Sequence, residues 1–157
     1  MEPACESEPE AITADGHDLA MALRAAYLTM HRRSNAEFAR FGLTADQFVL
    51  LTALAERDEV MQKELARRTA SDANTMSEML GRLELRGLIS RERDADDGRA
   101  RRVSLTASGR ELQRRAWDGV AHFRGTLAGL VPSGGLKNLV GQLRQIAGAI
   151  TDLGGND

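Results

Sequence analysis

The chain is short of several things. Its 157 residues include one cysteine, three prolines and only 4% aromatics. A lone thiol, Cys5, excludes an intrachain disulfide and a cysteine-built zinc cage, and it fits a reducing cytoplasm. The scarcity of aromatics disfavours an all-β sandwich or barrel. No apolar run approaches the roughly 18 residues that span a bilayer, so no membrane partner is expected. Glu2, Glu6, Glu8 and Glu10 stand where a signal peptide would be basic, so no such leader is expected either. Net charge is also nearly missing: 21 Lys and Arg against 23 Asp and Glu leave −2. As a single number, that speaks against a nucleic-acid binder. What is present is 42% hydrophobic residues, dominated with Arg and Glu by Leu and Ala, in a length that suits one mainly helical domain.

Residues 1–15 are acidic, hold Pro3 and Pro9 and lack periodicity, which predicts a flexible tail. Apolar residues then recur at helical spacing from about His17 to Arg40, and Gly42 supplies a stop. Thr44-Ala45-Asp46-Gln47 has the form of a capping box opening a second helix. A short helix over Gln62–Arg68, the cap-rich Thr69-Ala70-Ser71-Asp72 and a longer helix over Ala73–Arg86 form a helix-turn-helix pattern. The period then changes. Leu88–Arg93 and Arg101–Leu105 predict two strands around a polar loop with Asp97-Gly98 at its tip. Thr106 can cap a helix running to about Val131. Pro132-Ser133-Gly134-Gly135 breaks it, and a last helix carries an apolar stripe from Leu136 to Leu153.

Two of these segments suit a duplex. The helix over Ala73–Arg86 presents Asn74, Thr75 and Ser77 in its first turn and Arg82 further along. Short polar side chains at a helix N-terminus can approach base edges and phosphates closely. The hairpin crowds Arg91, Arg93, Arg99, Arg101 and Arg102 together, and an arginine on a thin loop suits the negative minor groove. Asp97, two residues before Arg99, could steady its guanidinium by a bidentate pair. An ordinary solvated helix and a solvated turn of mixed sign explain the same residues without DNA.

Leu43-Thr44-Ala45-Asp46-Gln47-Phe48, Leu65-Ala66, Leu83-Glu84-Leu85-Arg86-Gly87-Leu88-Ile89, Asp97-Gly98-Arg99 and Leu105-Thr106-Ala107-Ser108-Gly109 together resemble the MarR family of winged-helix regulators. The likeness covers about residues 17–153. It implies a winged helix-turn-helix lobe over about 44–106, flanked by dimerisation helices over about 16–42 and 107–153, within one domain over 16–157. It further implies a homodimer, a recognition helix at Ala73–Arg86, minor-groove contact by Arg99, wing support by Asp97 and backbone contact by Arg82. Arg91 and Arg101 join this DNA-facing set. Met61 departs from the pattern, since the family often has a capping Thr or Ser there. The last helix independently suggests a dimer, because its stripe is longer than a single lobe needs. A two-fold dimer would bind a pseudo-palindrome with half-sites roughly 10 base pairs apart.

By position, the resemblance also puts Tyr27, His31, Phe48 and Trp117 where many family members bind small aromatic acids, though the same four suit a plain core. His17, His31 and His122 lack metal-ligand spacing; a contact between His31 and His122, or thiol sensing by Cys5, defines a thiol- or metal-responsive variant of the same fold. No cofactor is implied. No Gly-rich phosphate loop, Gly-x-Ser-x-Gly or paired carboxylates support an enzyme such as a small hydrolase. Three classes stand at this point: a DNA-binding regulator, expected as a cytoplasmic repressor relieved by an effector; a winged-helix protein-interaction module; and, least supported, that enzyme. Charge placement favours the first. Residues 60–115 hold 13 Lys and Arg against 9 Asp and Glu, while the remainder holds 8 against 14. The near-neutral total conceals a basic lobe set against acidic flanks.

Overall fold

The computed structural model describes residues 14–154. Ten elements follow in order: α1 (Gly16–Ala39), α2 (Ala45–Glu56), β1 (Val60–Met61), α3 (Gln62–Arg68), α4 (Ala73–Leu85), β2 (Ile89–Arg93), β3 (Arg101–Leu105), α5 (Ala107–Gly119), α6 (Ala121–Gly129) and α7 (Leu136–Gly154). The fold is mainly α with a small antiparallel sheet in the order β1-β3-β2. The acidic tail expected over residues 1–15, with Cys5, lies almost wholly outside the described residues.

Local chemistry sets most boundaries. At α2, Thr44 Oγ1 accepts from the Gln47 N–H, and Gln47 Oε1 accepts from the Thr44 N–H, both at 3.1 Å. The reciprocal pair satisfies two donors that a helix start leaves orphaned. At the end of α4 the chain turns through Gly87 at φ +67, a region that costs any residue with a Cβ. The Gly87 N–H then donates to Glu84 O and the Leu88 N–H to Leu83 O, at 2.8 and 3.0 Å. Leu83 and Leu88 are both buried, giving the apolar contact that usually accompanies this closing motif. Gly42 ends α1 with the same bond pattern.

The core belongs to the lobe. Leu50, Leu51 and Leu54 of α2, Leu65 of α3, Met76, Leu80 and Leu83 of α4 and Val103 of β3 are fully buried together. Burying a side chain of this size stabilises by about 1.5–3 kcal/mol relative to exposure. β2 and β3 pair from Ile89↔Leu105 to Arg93↔Arg101, which buries Ile89, Val103 and Leu105 and turns Arg93 and Arg101 outward. Thr106 fastens α5 to this lobe. Its hydroxyl donates to Gly87 O at 2.7 Å and accepts from the Gly109 N–H at 3.0 Å.

Two features differ from the periodicity. Val60 and Met61 add a short strand on β3, pairing with Val103 and Arg102. The helix expected from Thr106 to Val131 is two helices, parted at Val120. The cause is tertiary. Arg40 donates to the Gly119 carbonyl, and Phe41 packs so closely that a Cβ at Gly119 would lie 2.3 Å from its ring.

Candidate nucleic-acid interface

The first turn of α4 is built on Asp72. Its carboxylate accepts from the Thr75 N–H at 2.9 Å and from the Thr75 hydroxyl at 2.6 Å. Those bonds, the hydroxyl's first, hold the Asp72 carboxyl below its ordinary range. The Thr75 hydroxyl proton is therefore committed to the cap. Asn74 and Ser77 stand exposed on the same turn, as does Arg82 further along, whose guanidinium lies 3.8 Å from Glu78.

The wing has an anchor that the motif did not reveal. Asp94 is buried at the end of β2. Its Oδ1 accepts from the N–H groups of Asp96 and Asp97, each at 3.0 Å, and its Oδ2 accepts from Arg102 Nε at 2.5 Å. The Asp97 backbone bond, then Arg102, then the Asp96 bond hold the Asp94 carboxyl below its ordinary range. Asp97 acts otherwise than expected. It forms no bidentate pair with the Arg99 guanidinium; its Oδ1 accepts from the Arg99 backbone N–H at 3.0 Å. Asp97 shapes the turn and leaves the Arg99 side chain to solvent.

Arg91 also has a different task from the one its position suggested. Its Nε and Nη2 donate to Glu84 at 2.9 and 2.5 Å, and its side chain is only 20% exposed. The Arg91 bonds hold the Glu84 carboxyl below its usual range. This pair ties the end of α4 to β2 and neutralises Arg91. Arg102 is likewise spent on Asp94. Among the described residues Arg93, Arg99 and Arg101 of the wing have no ion-pair partner within 4.0 Å. A cleft of about 500 Å³ separates wing from helices, with Met61, Met76 and Ala66 inside and Lys63, Ser77, Arg99 and Arg101 around it. The structure thus gathers two of the free wing cations, Arg99 and Arg101, beside one flank of α4. Lys63, at the start of α3, is a basic residue of this face that periodicity gave no reason to single out.

Strong acid should loosen the wing. Because the folded Asp94 carboxyl is held low, its contribution is complete above the ordinary carboxylate range and disappears as pH falls through its folded value. Protection of the Asp96 and Asp97 amides, relative to their intrinsic exchange rate at each pH, is expected to persist through the ordinary carboxylate range and to fall only below it. In Asp94→Asn both amides are expected to exchange fast already at pH 7. Equal protection in variant and parent would contradict the anchor.

The four residues carried over as an effector site are not gathered into one cavity. Phe48 is buried and stacks on Phe38 at 4.1 Å, with the Trp117 ring 6.3 Å away. Arg124 covers the Trp117 ring, 3.5 Å from its centroid. Tyr27 is half exposed on α1. His31 lines a groove, a space of about 510 Å³ between α1, the start of α2 and α4 that also meets Asp46, Glu78, Met79 and Arg82. The His31 ring is engaged by Asp46 and Asn35, and His122 is exposed on α6. Among the described residues no cluster of three or more His, Cys, Asp or Glu could hold a metal ion, and no helix is long and apolar enough to cross a membrane.

Comparison with known proteins agrees with this geometry. The MarR family model matches residues 43–100. The organic hydroperoxide resistance transcriptional regulator of Bacillus subtilis (strain 168) is 33% identical over 102 residues, which cover 64% of this chain and 67% of that protein. The transcriptional regulator HosA of Escherichia coli O157:H7 is 41% identical over 70 residues; that match takes in 45% of this chain and about half, 52%, of the length of HosA. Among solved structures, the transcriptional repressor CouR bound to a 23-mer DNA duplex superposes with a TM-score of 0.75 at 30% identity, covering 82% of this chain and 92% of that one.

Proposed function

We propose, since this chain belongs to the MarR family, that it is a cytoplasmic homodimeric transcriptional regulator that occupies a pseudo-palindromic operator as a repressor. The observation that carries this is the division of labour among the wing arginines. Arg91 and Arg102 are consumed by acids that build the wing, while Arg99 and Arg101 are held out beside a polar, exposed α4. In this account Asn74 and Ser77 meet base edges and phosphates in the major groove, Arg82 meets the backbone, and Arg99 enters the minor groove. Thr75 and Asp97 shape the surface without spending their own side chains on DNA. Hydroxyl-radical footprinting on the promoter of its own gene tests the arrangement. The expected result is paired minor-groove protections flanking two major-groove half-sites about 10 base pairs apart.

Dimerisation rests on the arms over about 16–42 and 107–153 outside the 44–106 lobe, with α1, α6 and α7 supplying exposed apolar surface. Leu136, Leu139, Val140 and Leu143 of α7 are each about 40% exposed. Leu19, Leu28 and Met30 of α1, Leu127 of α6 and Leu130 just after it are exposed as well. Apolar surface on this scale calls for a partner, and a second copy of the chain supplies it. Sedimentation should give twice the chain mass, and Leu139→Asp combined with Leu143→Asp should sediment as a monomer. A dimer that survives both charges would refute this assignment.

A small effector, of the aromatic-acid kind, would bias the lobe spacing and release the operator by population shift. The groove holding His31 is its place in this proposal. Arg82 is the basic group there, at the expense of its loose approach to Glu78. Tyr27 and Trp117, on outer faces, would contribute once the partner subunit covers them.

A further inference from the structure

A hydrogen-bond chain between α1 and α2 determines where a histidine keeps its proton. Ala45 is the first residue of α2, and its backbone N–H donates to Asn35 Oδ1 at 2.7 Å. A backbone N–H can only donate, so the Asn35 amide is oriented with its oxygen toward α2. Its NH₂ group then faces His31, with Nδ2 3.3 Å from Nδ1. An NH₂ group can only donate, so Nδ1 accepts and carries no proton. The proton of the neutral ring sits on Nε2, which donates to the Asp46 carboxylate at 3.1 Å. The backbone of the lobe thus dictates the tautomer of a histidine on the arm.

We propose that this chain of bonds is a proton-sensitive latch between α1 and the lobe that opens on acidification. Protonation places an N–H on Nδ1, opposite the Asn35 NH₂, and two donors face each other. Flipping Asn35 gives no relief, because its NH₂ would then face the Ala45 N–H. Asn35 must withdraw, and the Ala45 N–H loses the acceptor that served an otherwise orphaned helix-start donor. The His31–Asp46 contact persists as an ion pair, but with side chains 25% and 53% exposed it compensates poorly. The other titratable or charged groups facing the ring are Tyr27 of α1, with centroids 5.4 Å apart, and Glu78 and Arg82 of α4 across the groove. Glu78 and Arg82 lie 3.8 Å apart and offset one another. None of these offers Asn35 or Ala45 a replacement bond. The latch is closed while the His31 ring is neutral and opens when the ring takes a second proton. Its effect on gene regulation rests on the operator-binding proposal, in which the lobe's setting on its arm is what DNA selects.

Trp117, the chain's only tryptophan, reports that setting, because its ring faces Phe48 of α2. The test uses the full chain. Ring ¹⁵N NMR at neutral pH is expected to show His31 as the Nε2–H tautomer, and Asn35→Ala should turn it into a mixture. Trp117 emission is expected to shift on acidification in the parent and in His122→Gln, and to stay flat in His31→Gln. Duplex affinity should fall about fivefold on the same acidification, the worth of one hydrogen bond, again only where His31 is present. An Nδ1–H tautomer, or an emission change that follows His122 and survives His31→Gln, overturns the latch. If the tautomer and emission behave as stated but no duplex binds at any pH, the latch stands and the operator proposal falls.

Discussion

Arg99→Ala is expected to weaken operator binding by the dimer by more than about a hundredfold while leaving the melting temperature unchanged. A hydrogen bond to a charged group contributes about 1.5–3 kcal/mol, and a two-fold dimer loses one at each wing. Folding should not notice. The Arg99 side chain is exposed and lacks an ion-pair partner among the described residues; only its backbone N–H is engaged, by Asp97. Arg91→Ala is the informative contrast. It leaves Glu84 without its partner at the junction of α4 and β2, so it should lower the melting temperature as well as affinity. A urea titration beside each binding curve separates the two effects. If Arg99→Ala lost stability and Arg91→Ala did not, the assignment of the two arginines would be reversed.

The largest expected effect on stability lies at Gly109. A Cβ built there would sit 1.9 Å from the Leu88 carbonyl oxygen and 2.9 Å from its carbon, with Leu105 at 3.3 Å. The two closest neighbours are backbone, so no rotamer change relieves the overlap. Either α5 moves off the sheet or the Leu88 turn opens, and both break the Thr106 bonds that join them. Overpacking in a filled core costs about 1–3 kcal/mol, occasionally more, and rigid backbone on the receiving side places Gly109→Ala at the upper end. For a chain of this size each kcal/mol lowers the melting temperature by about 2–4 °C. Calorimetry should therefore show a fall of roughly 6–12 °C, whereas Gly125→Ala, with open space around its Cβ, should be neutral or stabilising. This also supplies a physical reason for the Leu-Thr-x-x-Gly pattern at Leu105–Gly109: Leu105 enters the core, Thr106 bridges to Gly87, and Gly109 makes room for the carbonyl of Leu88.

The parts of the fold legible in the sequence are those determined within a few residues. The Thr44–Gln47 box, the Gly87 turn, the Arg101–Leu105 strand and the Thr106 cap depend on near neighbours, and the structure has each where the pattern put it. Met61, flagged as a weak start for the next helix, indeed makes no side-chain cap bond there. Features that depend on distant partners were not legible. The break at Val120 follows from Arg40 and Phe41 of the α1 end. β1 is two residues long, too short to show an alternating period. Within the site, sequence named the arginines as a set but could not apportion them. Asp94, Asp96 and Asp97 look alike in a polar turn, and only burial distinguishes the Asp94 anchor from its neighbours. Arg91 and Arg99 look alike too, and only Glu84, across from β2, shows that Arg91 is already occupied.

The most direct test of the central claim is a salt series of duplex binding by the parent chain and by a variant carrying Asn74→Ala, Arg82→Ala and Arg99→Ala together. The account predicts tight binding of a palindromic duplex at low salt and a steep linear fall of log K with log salt. In the variant, affinity should collapse and the slope should flatten, because phosphate contacts are lost on both lobes. No binding by the parent at low salt, or equal binding by the variant, would contradict it.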